Sequence, residues 1–350
     1  MREGATYKPF DDCFDKIKTP KGVPSKDYLE SGTYPVISQE EEFISGYNND
    51  DSKLLHIPRP VVIFGDHSRV IKYVDFDFVL GADGVKVLLP KVECDAKYIY
   101  YFLKHFNVPS LGYSRHFKLL REAQIPVPSL STQELIVREL DSISSVISAK
   151  KQQVLELDNL AQAIFLDTFG DPITNPKGWE VKKMSEACDE IFAGGDVPKG
   201  DSVHEKDAEH TIPIYSNGVK DEGLYGYTSK ARVLSPAVTI SGRGTIGAAF
   251  IRREPFFPII RLIVAIPNKS LDLSYFGSSI KMLSLESTGN SIQQLTIPMI
   301  KEYTIPIPPL SLQQAFAEKV QVIEEQKRLI NQSIAEFESL LAQRMEFHFA

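Results

Sequence analysis

Two segments of the chain repeat apolar residues at alternating spacings of four and three positions. The first segment has Lys150 as its only polar interruption, and its apolar positions are Ile136, Leu140, Ile143, Ile147, Val154, Leu157, Ala161 and Ile164. The pattern recurs 180 residues later at Phe316, Val320, Ile323, Ile330, Ile334, Phe337 and Leu341, with Lys327 and Arg344 at the remaining positions. This spacing is typical of a coiled-coil seam. We therefore predict two long helices, at residues 129–170 and 309–350.

The residues in front of the two helices repeat as well. Ile125-Pro-Val-Pro128 precedes the first helix and Ile305-Pro-Ile-Pro308 precedes the second. Ser131 with Glu134, and Ser311 with Gln314, have the spacing of capping boxes, in which each side chain binds a free backbone N–H. The chain is therefore an internal duplication. Each repeat has a globular unit, a proline-rich strand and a long helix.

The globular units, at residues 1–128 and 171–308, combine short strands with one helix each. Strand-forming runs separated by Gly, Pro, Asn and Asp are predicted at residues 34–38, 61–64, 70–74, 84–89, 211–215, 237–241 and 259–266, and helices at 96–105 and 274–285. The predicted class is α+β, with two mixed α/β domains separated by two long antiparallel coiled-coil helices in pseudo-two-fold symmetry. A helix of this length is on the order of 55 Å long.

Composition limits the classes of protein that the chain can represent. Its 350 residues are 43% hydrophobic and 24% charged, which suits two domains with separate cores. No apolar run approaches the roughly 20 residues of a membrane span, and no signal peptide is evident, so we expect a cytoplasmic protein without membrane contact. Three cysteines without metal-ligand spacing are interpreted as core thiols, and no metal is expected.

The net charge of −7 argues mildly against a chain that binds nucleic acid non-specifically on its own, because such binding depends on phosphate neutralisation. It leaves room for a local basic surface. Catalytic signatures are absent: no phosphate-binding GxxxxGK[ST] loop, HExxH or GxSxG sequence occurs. We therefore predict a protein that is not an enzyme and holds no cofactor.

A glycine-rich loop follows a predicted strand in the second unit. Gly242-Arg-Gly-Thr-Ile-Gly247 matches the spacing of dinucleotide-binding loops, but a second strand follows it and not a helix. We interpret it as a hairpin turn whose glycines permit close contact with the backbone of a partner, and whose Arg243 and Thr245 provide polar contacts. The corresponding loop of the first unit ends at Arg69.

A second pair of loops precedes the proline-rich strands. Residues 112–118 contain Tyr113, Arg115, His116 and Lys118, whereas residues 288–294 are rich in amides. Arginine paired with guanine, and Asn or Gln paired with adenine, are the contacts by which proteins distinguish bases in the major groove. A solvated loop would have the same composition. The equivalent positions of the two loops in a duplicated chain favour a binding role.

Taken in order and occurring twice, these features resemble the specificity (S) subunit of type I restriction-modification systems. The resemblance rests on Asn175-Pro-Lys-Gly-Trp-Glu180, on Ile240-Ser-Gly-Arg-Gly-Thr-Ile-Gly247, on the two proline-rich strands and on the two helices, and it covers nearly the whole chain. It implies two target-recognition domains, each reading one half of a bipartite double-stranded DNA site. It also implies helices that set the spacer and dock methyltransferase (M) subunits, expected to number two. The M subunits carry S-adenosylmethionine, and motor-nuclease (R) subunits join them for cleavage.

The predicted function is that of a non-catalytic DNA-recognition subunit in phage defence. Arg115, Arg243, Asn290 and Gln293 are the predicted base contacts, and Lys118 is a predicted phosphate contact. The further predicted DNA-binding residues are Arg69, Tyr113, His116, Asn217, Thr245 and Gln294. Two alternatives stay open at this point: the specificity subunit of a system whose partner fuses methyltransferase and nuclease, and a coiled-coil adaptor that binds proteins.

Overall fold

The computed structural model describes residues 6–82, 84–110, 112, 114–283, 285 and 294–350. They form two compact units, Met1–Lys151 with Gln332–Ala350 and Gln152–Asn331, called unit 1 and unit 2 below. Among these residues, no helix combines the length and the apolar character that crossing a bilayer requires.

The described residues of unit 1 form ten strands, and the first long helix begins in this unit. The strands are β1 Thr6–Pro9, β2 Phe14–Asp15, β3 Tyr34–Ile37, β4 Gly46–Asn48, β5 Leu54–Leu55, β6 Val61–Gly65, β7 Ile71–Val74, β8 Phe78–Leu80, β9 Val85–Pro90 and β10 Gln124–Val127. The helices are α1 Ala96–Phe106, α2 Phe117–Leu120 and α3 Leu130–Phe169. One sheet has the order β2-β9-β6-β7, another β4-β3-β8-β5, and β1 pairs with β10. Every residue of β6 is buried, as its run of β-branched and aromatic side chains predicts.

Unit 2 repeats this arrangement. Its strands are β11 Val181–Lys183, β12 Cys188–Ala193, β13 Ile212–Tyr215, β14 Leu224–Thr228, β15 Ala237–Ile240, β16 Ala249–Arg252, β17 Phe257–Pro258, β18 Ile263–Pro267 and β19 Thr304–Pro306. Its helices are α4 Met184–Ala187, α5 Leu273–Met282, α6 Ile297–Glu302 and the start of α7 Leu310–Phe349. The sheets β12-β18-β15-β16 and β14-β13-β17 correspond to the two larger sheets of unit 1, and β11 pairs with β19. Parallel pairing occurs at the same place in both units, β3 with β8 and β13 with β17.

Both long helices have 40 residues, and the predicted seam positions are buried or half-buried throughout. In unit 2 the end of α3 packs against the start of α7, with the rings of Phe169 and Phe316 5.4 Å apart. In unit 1 the start of α3 packs against the end of α7, where Lys151 Nζ lies 2.7 Å from a carboxylate oxygen of Glu338. Each contact is antiparallel, which confirms the predicted fold class.

Each unit is completed by the end of a helix that begins in the other unit. Phe349 of α7 packs on Tyr98 in unit 1, with ring centroids 5.3 Å apart, and Phe169 of α3 packs on Tyr275 in unit 2 at 4.6 Å. Tyr98 and Tyr275 are equivalent residues of α1 and α5. Each donates its hydroxyl to a carbonyl oxygen of the proline-rich strand, Pro126 and Pro306 respectively, at 2.8 Å. The two cores therefore share equivalent ring contacts and an equivalent tyrosine hydrogen bond.

The predicted capping boxes are wrong. Helix α3 begins at Leu130, before Ser131, and Ser129 is its cap, with its Oγ accepting the N–H of Thr132 at 3.3 Å. Gln133 and Gln313, which lie two residues after Ser131 and Ser311, have a role that the sequence does not predict. Gln133 and Gln313 are fully buried, and each binds three backbone groups of its own unit. The prediction of core thiols is confirmed, since all three cysteines are buried.

Candidate nucleic-acid interface

In unit 1, the turn of the β6–β7 hairpin touches the loop that precedes β10. The carbonyl oxygen of Asp66 accepts a hydrogen bond from the N–H of His116 at 2.8 Å, and the Asp66 carboxylate accepts one from the N–H of Phe117 at 2.8 Å. Asp66 is buried, and Lys86 Nζ lies 3.9 Å from its carboxylate. The two candidate loops of this unit therefore form one surface.

His116, a predicted DNA contact, lies inside the loop. Its side chain is fully buried, and Nδ1 lies 3.0 Å from the carbonyl oxygen of Asp66. A ring in this position supports the loop from inside and offers nothing to a ligand on the surface. Arg69 is half-buried with a φ of 63°, and its Nη1 donates to the carbonyl oxygen of Val108 at 3.0 Å. That bond occupies part of the guanidinium group.

Two other predicted residues of unit 1 have the exposure that a DNA contact needs. Arg115 and Lys118 are both exposed, on either side of the buried His116. Tyr113 lies outside the described residues. The arrangement therefore presents two cations at the surface of this loop.

In unit 2, the glycine-rich sequence is the turn of the β15–β16 hairpin, as predicted. Ile240 pairs with Ala249 in antiparallel register, and Gly244 and Gly247 have φ values of 68° and 81°. Gly242 makes the close contact, but its partner is the chain itself. The N–H of Leu295 donates to its carbonyl oxygen at 2.9 Å, and a Cβ on Gly242 would lie 2.9 Å from the oxygen of Leu295.

This hydrogen bond corresponds to the one between Asp66 and His116 in unit 1. In each unit a carbonyl oxygen of the hairpin turn accepts an N–H of the loop before the proline-rich strand: the acceptor is Asp66, one residue beyond β6, in unit 1, and Gly242, two residues beyond β15, in unit 2. The two candidate loops of unit 2 are therefore also in contact. Thr245 is exposed at the tip of the turn, and Asn290 and Gln293 lie outside the described residues.

A cavity of about 370 Å³ opens beside the turn, and its lining includes Arg243, Arg261 and Gln294. Arg243 Nη2 donates to Gln294 Oε1 at 3.3 Å. No carboxylate side chain belongs to the part of the lining that the structure describes. Two guanidinium groups without a carboxylate in the described lining suit contacts with DNA, because a guanidinium group can bind either a phosphate or the edge of a guanine.

Arg261 has no counterpart among the predicted site residues. The sequence predicts a strand over 259–266, but β18 begins only at Ile263. Ile260 and Arg261 have φ values of 52° and 60°, a conformation that a β-branched residue rarely adopts. Their N–H groups donate to Gly195 and Gly194 at 2.7 and 3.2 Å. Strained residues of this kind gather at functional sites, although alternation in the sequence gives no signal for them.

Asn217 lies at this surface, yet its amide is used within the chain. Oδ1 accepts the N–H of Gly242 at 2.8 Å, and Nδ2 donates to the carbonyl oxygen of Ile260 at 2.6 Å. A bidentate contact with adenine requires the same two atoms. Both ends of the Asn217 amide, a predicted DNA-binding group, therefore have partners within the chain, and in this structure Asn217 supports the turn.

Each hairpin carries one buried cation on its second strand. Lys72 Nζ donates to the carbonyl oxygen of Glu42 at 2.5 Å, and burial lowers the pKa of this ammonium group. Arg252 Nη1 donates to a Glu222 carboxylate oxygen at 3.0 Å, and its guanidinium carbon lies 3.6 Å from the centre of the Tyr215 ring. Burial likewise lowers the pKa of Arg252. Each cation therefore binds the loop that follows the first strand of the second sheet of its unit, which is β3 in the sheet β4-β3-β8-β5 and β13 in the sheet β14-β13-β17.

Comparison with known proteins agrees with this architecture. The profile of the type I restriction modification DNA specificity domain matches residues 3–157 and 176–339. A Mycoplasma pneumoniae protein described as a type I specificity subunit, S.MpnORF507P, is 29% identical over 331 residues, which cover 89% of this chain and 87% of that protein. The type I restriction enzyme EcoR124I/EcoR124II specificity subunit of Escherichia coli is 24% identical over 337 residues, covering 85% and 80% of the two chains.

The crystal structure of the type I restriction-modification S subunit from M. genitalium has a similar fold. It matches with a TM-score of 0.59 at 15% identity, over 97% of this chain and 95% of that one. The specificity profile covers both repeats and far more than half of the chain. The chain therefore belongs to the type I restriction-modification specificity subunits, with one DNA specificity domain in each repeat.

Proposed function

We propose that each unit reads one half of a bipartite double-stranded DNA site through the surface formed by its two loops. The observation that carries this proposal is the equivalent pairing of the loops, Asp66 with His116 and Gly242 with Leu295. The scaffold of the surface is duplicated, whereas the side chains on it differ. Two surfaces of one design with different polar groups suit two different base sequences.

Within this proposal, the exposed or cavity-lining groups contact DNA. In unit 1 these are Arg115, as a base contact, and Lys118, as a phosphate contact. In unit 2 Arg243 and Gln294 contact bases, Thr245 contacts the backbone or a base edge, and Arg261 adds a phosphate contact. Tyr113, Asn290 and Gln293 stay predicted contacts from the sequence. Arg69 contributes only through the part of its guanidinium that Val108 leaves open.

The helices provide the proposed docking surface for methyltransferase subunits. Apolar side chains stand exposed on both helices, away from the seam, at Leu135, Leu155, Leu160, Val322 and Leu329, with between 48% and 60% of each accessible. A docked partner would remove these apolar side chains from water. We propose that two M subunits dock there and supply S-adenosylmethionine, that R subunits join for cleavage, and that helix length sets the number of unread base pairs.

The test is to purify the chain with the methyltransferase encoded beside it, expose DNA to the complex, and sequence the methylated adenines. We expect a two-part motif with a fixed gap. Exchanging residues 175–304 for those of another specificity subunit should change one half of the motif and leave the other half and the gap unchanged. A stable complex that methylates without sequence preference would refute the proposal.

A further inference from the structure

Gln39 and Asn217 occupy equivalent positions in the two repeats. Each lies two residues beyond the first strand of the second sheet, β3 or β13, in the sequences Pro-Val-Ile-Ser-Gln39 and Pro-Ile-Tyr-Ser-Asn217. Both carry an amide, although the neighbouring loop residues differ. Asn217 is a predicted DNA-binding residue and Gln39 is not, so the equivalence of the two positions comes from the repeat itself.

The two amides make the same bond. Gln39 Oε1 accepts the N–H of His67 at 3.1 Å, and Asn217 Oδ1 accepts the N–H of Gly242 at 2.8 Å. In both units the donor belongs to the turn of the hairpin, just beyond its first strand. The Gln39 loop gains a second bond, from Ser68 Oγ to the carbonyl oxygen of Gln39 at 2.5 Å, and Asn217 gains one to the carbonyl oxygen of Ile260 at 2.6 Å.

The loop that carries each amide is fixed at a second point by the same hairpin. Lys72 on β7 binds Glu42, three residues after Gln39, and Arg252 on β16 binds Glu222, five residues after Asn217. Lys72 and Arg252 are each 4% exposed. The hairpin is therefore joined to the second sheet at its strand by a buried cation and at its turn by an amide.

We infer that Gln39 and Asn217 are positioning residues for DNA reading: each amide holds the turn of its hairpin in the conformation that presents the base-contacting groups. The inference rests on the proposed function of the two surfaces. Asn217 joins the glycine-rich turn to the strained segment that carries Arg261, so it also sets the two sides of the cavity lined by Arg243 and Arg261. Gln39 performs the corresponding task for the turn at His67.

The test compares variants of near-equal shape in the complex with the methyltransferase. Asn217→Leu and Gln39→Met keep the volume and remove the hydrogen bonds. Asn217→Gln keeps the amide, and the bond between Gln39 and His67 shows that a glutamine at this place can reach the turn. Val219→Ala, on an exposed side chain of the same loop, is the matched control.

Two measurements are made on each variant. Amide hydrogen exchange of the turn, without DNA, reports on the bond itself, and competition binding with every single-base change in both half-sites reports on reading. We expect Asn217→Leu to accelerate exchange at residue 242 by about tenfold or more and to reduce discrimination by about tenfold at several base pairs of the second half-site only. Gln39→Met should do the same at residue 67 and in the first half-site. Asn217→Gln should restore most of both properties, and Val219→Ala should change neither.

Unchanged exchange at residues 242 and 67 would overturn the inference whatever the DNA results. Faster exchange with undiminished discrimination would overturn it as well, because the turn would then need no positioning. Relaxation at one base pair alone would make Asn217 a base contact. If the parent complex shows no two-part preference, the proposed function fails, while the exchange measurement still decides whether the amide holds the turn.

Discussion

The proposed DNA-reading surfaces of the two units share the hydrogen bonds that hold their loops and differ in the side chains on those loops. In unit 1 the hairpin turn has the buried Asp66, and the neighbouring loop has the buried His116 between the exposed cations Arg115 and Lys118. In unit 2 the turn is open and glycine-rich, and the arginines lie around a cavity. The hydrogen bonds that join the loops, and those that join each turn to the second sheet, recur in both.

This difference shows which part of a repeat is free to change. Bonds between backbone groups, or between an amide and a backbone group, place no demand on the side chains at the tip of a loop. A duplicated chain can therefore retain them while its two surfaces acquire different specificities. Four experiments test whether the shared bonds and the differing side chains have these separate roles.

Tyr275→Ala should destabilise unit 2 by about 3–5 kcal/mol and leave unit 1 intact. Tyr275 is fully buried and stacks with Phe165 at 5.7 Å, so its removal leaves a cavity among aromatic rings. Hydrogen exchange followed across both units under rising denaturant measures the effect. Tyr275→Phe, which loses only the bond to Pro306, should cost about 1 kcal/mol. Equal loss of protection in both units would show that they unfold together.

Gln313→Met should cost about 2–3 kcal/mol, because it leaves three backbone groups of unit 2 without their partner at a fully buried position. Gln133→Met is the matched change in unit 1 and should cost the same. Thermal unfolding of each variant with its methyltransferase bound gives the comparison. A cost confined to one variant would mean that the equivalent bonds differ in strength.

Arg243→Ala should relax specificity in the second half-site by about 1–3 kcal/mol and leave the first half unchanged. The reason is the loss of a guanidinium contact to a base edge. Competition binding with single-base changes measures it. Arg261→Ala is the contrasting variant, since loss of a phosphate contact should weaken binding on all sequences and lower the salt slope by about one. If Arg243→Ala behaves in that way, Arg243 is a phosphate contact too.

Acid should loosen the helix packing of unit 1 slightly more than that of unit 2. Glu139 accepts hydrogen bonds from Arg344 and, at 2.8 Å, from His348, and the bond with Arg344 lowers the pKa of Glu139. This contribution, about 0.5–1 kcal/mol for a partly exposed pair, is complete above the ordinary pKa of a glutamate and is lost as pH falls through the lowered value. The equivalent position in unit 2 is Lys319. Hydrogen exchange of α3 between pH 7 and 3.5 checks this, and Glu139→Gln should abolish the difference.

Much of the architecture could be predicted from the sequence because it depends on periodic patterns. The seam of the long helices, the strand at Val61 and the hairpin at Gly242 follow from spacing and from turn residues, and the structure confirms each. Helix caps are harder to predict, because the hydroxyl oxygens of Ser129 and Ser131 are equally suitable acceptors by type and only the backbone decides between them.

The site was less predictable for a physical reason. The sequence shows which residues could bind a base, but not which of their polar atoms are already buried or hydrogen-bonded within the folded chain. His116 is buried, and the Asn217 amide binds two backbone groups. One nitrogen of the Arg69 guanidinium group binds the carbonyl oxygen of Val108. Arg261 gains its exposure from a left-handed backbone that no alternation indicates. The signal for Gln39 is the equal spacing of Pro35 to Gln39 and Pro213 to Asn217 in the two repeats.

The packing of Phe349 on Tyr98 has a consequence for synthesis. The first globular unit leaves the ribosome early, yet its core includes Met345 and Phe349 from the end of α7. The core of this unit is therefore incomplete while most of the second repeat is being translated, because the α7 residue that packs on Tyr98 and Phe102 of α1 has not yet been made. The two units therefore differ in the order of translation. The end of α3 at Phe169, which packs in unit 2, is made before the strands of unit 2. The end of α7 at Phe349, which packs in unit 1, is made long after the strands of unit 1.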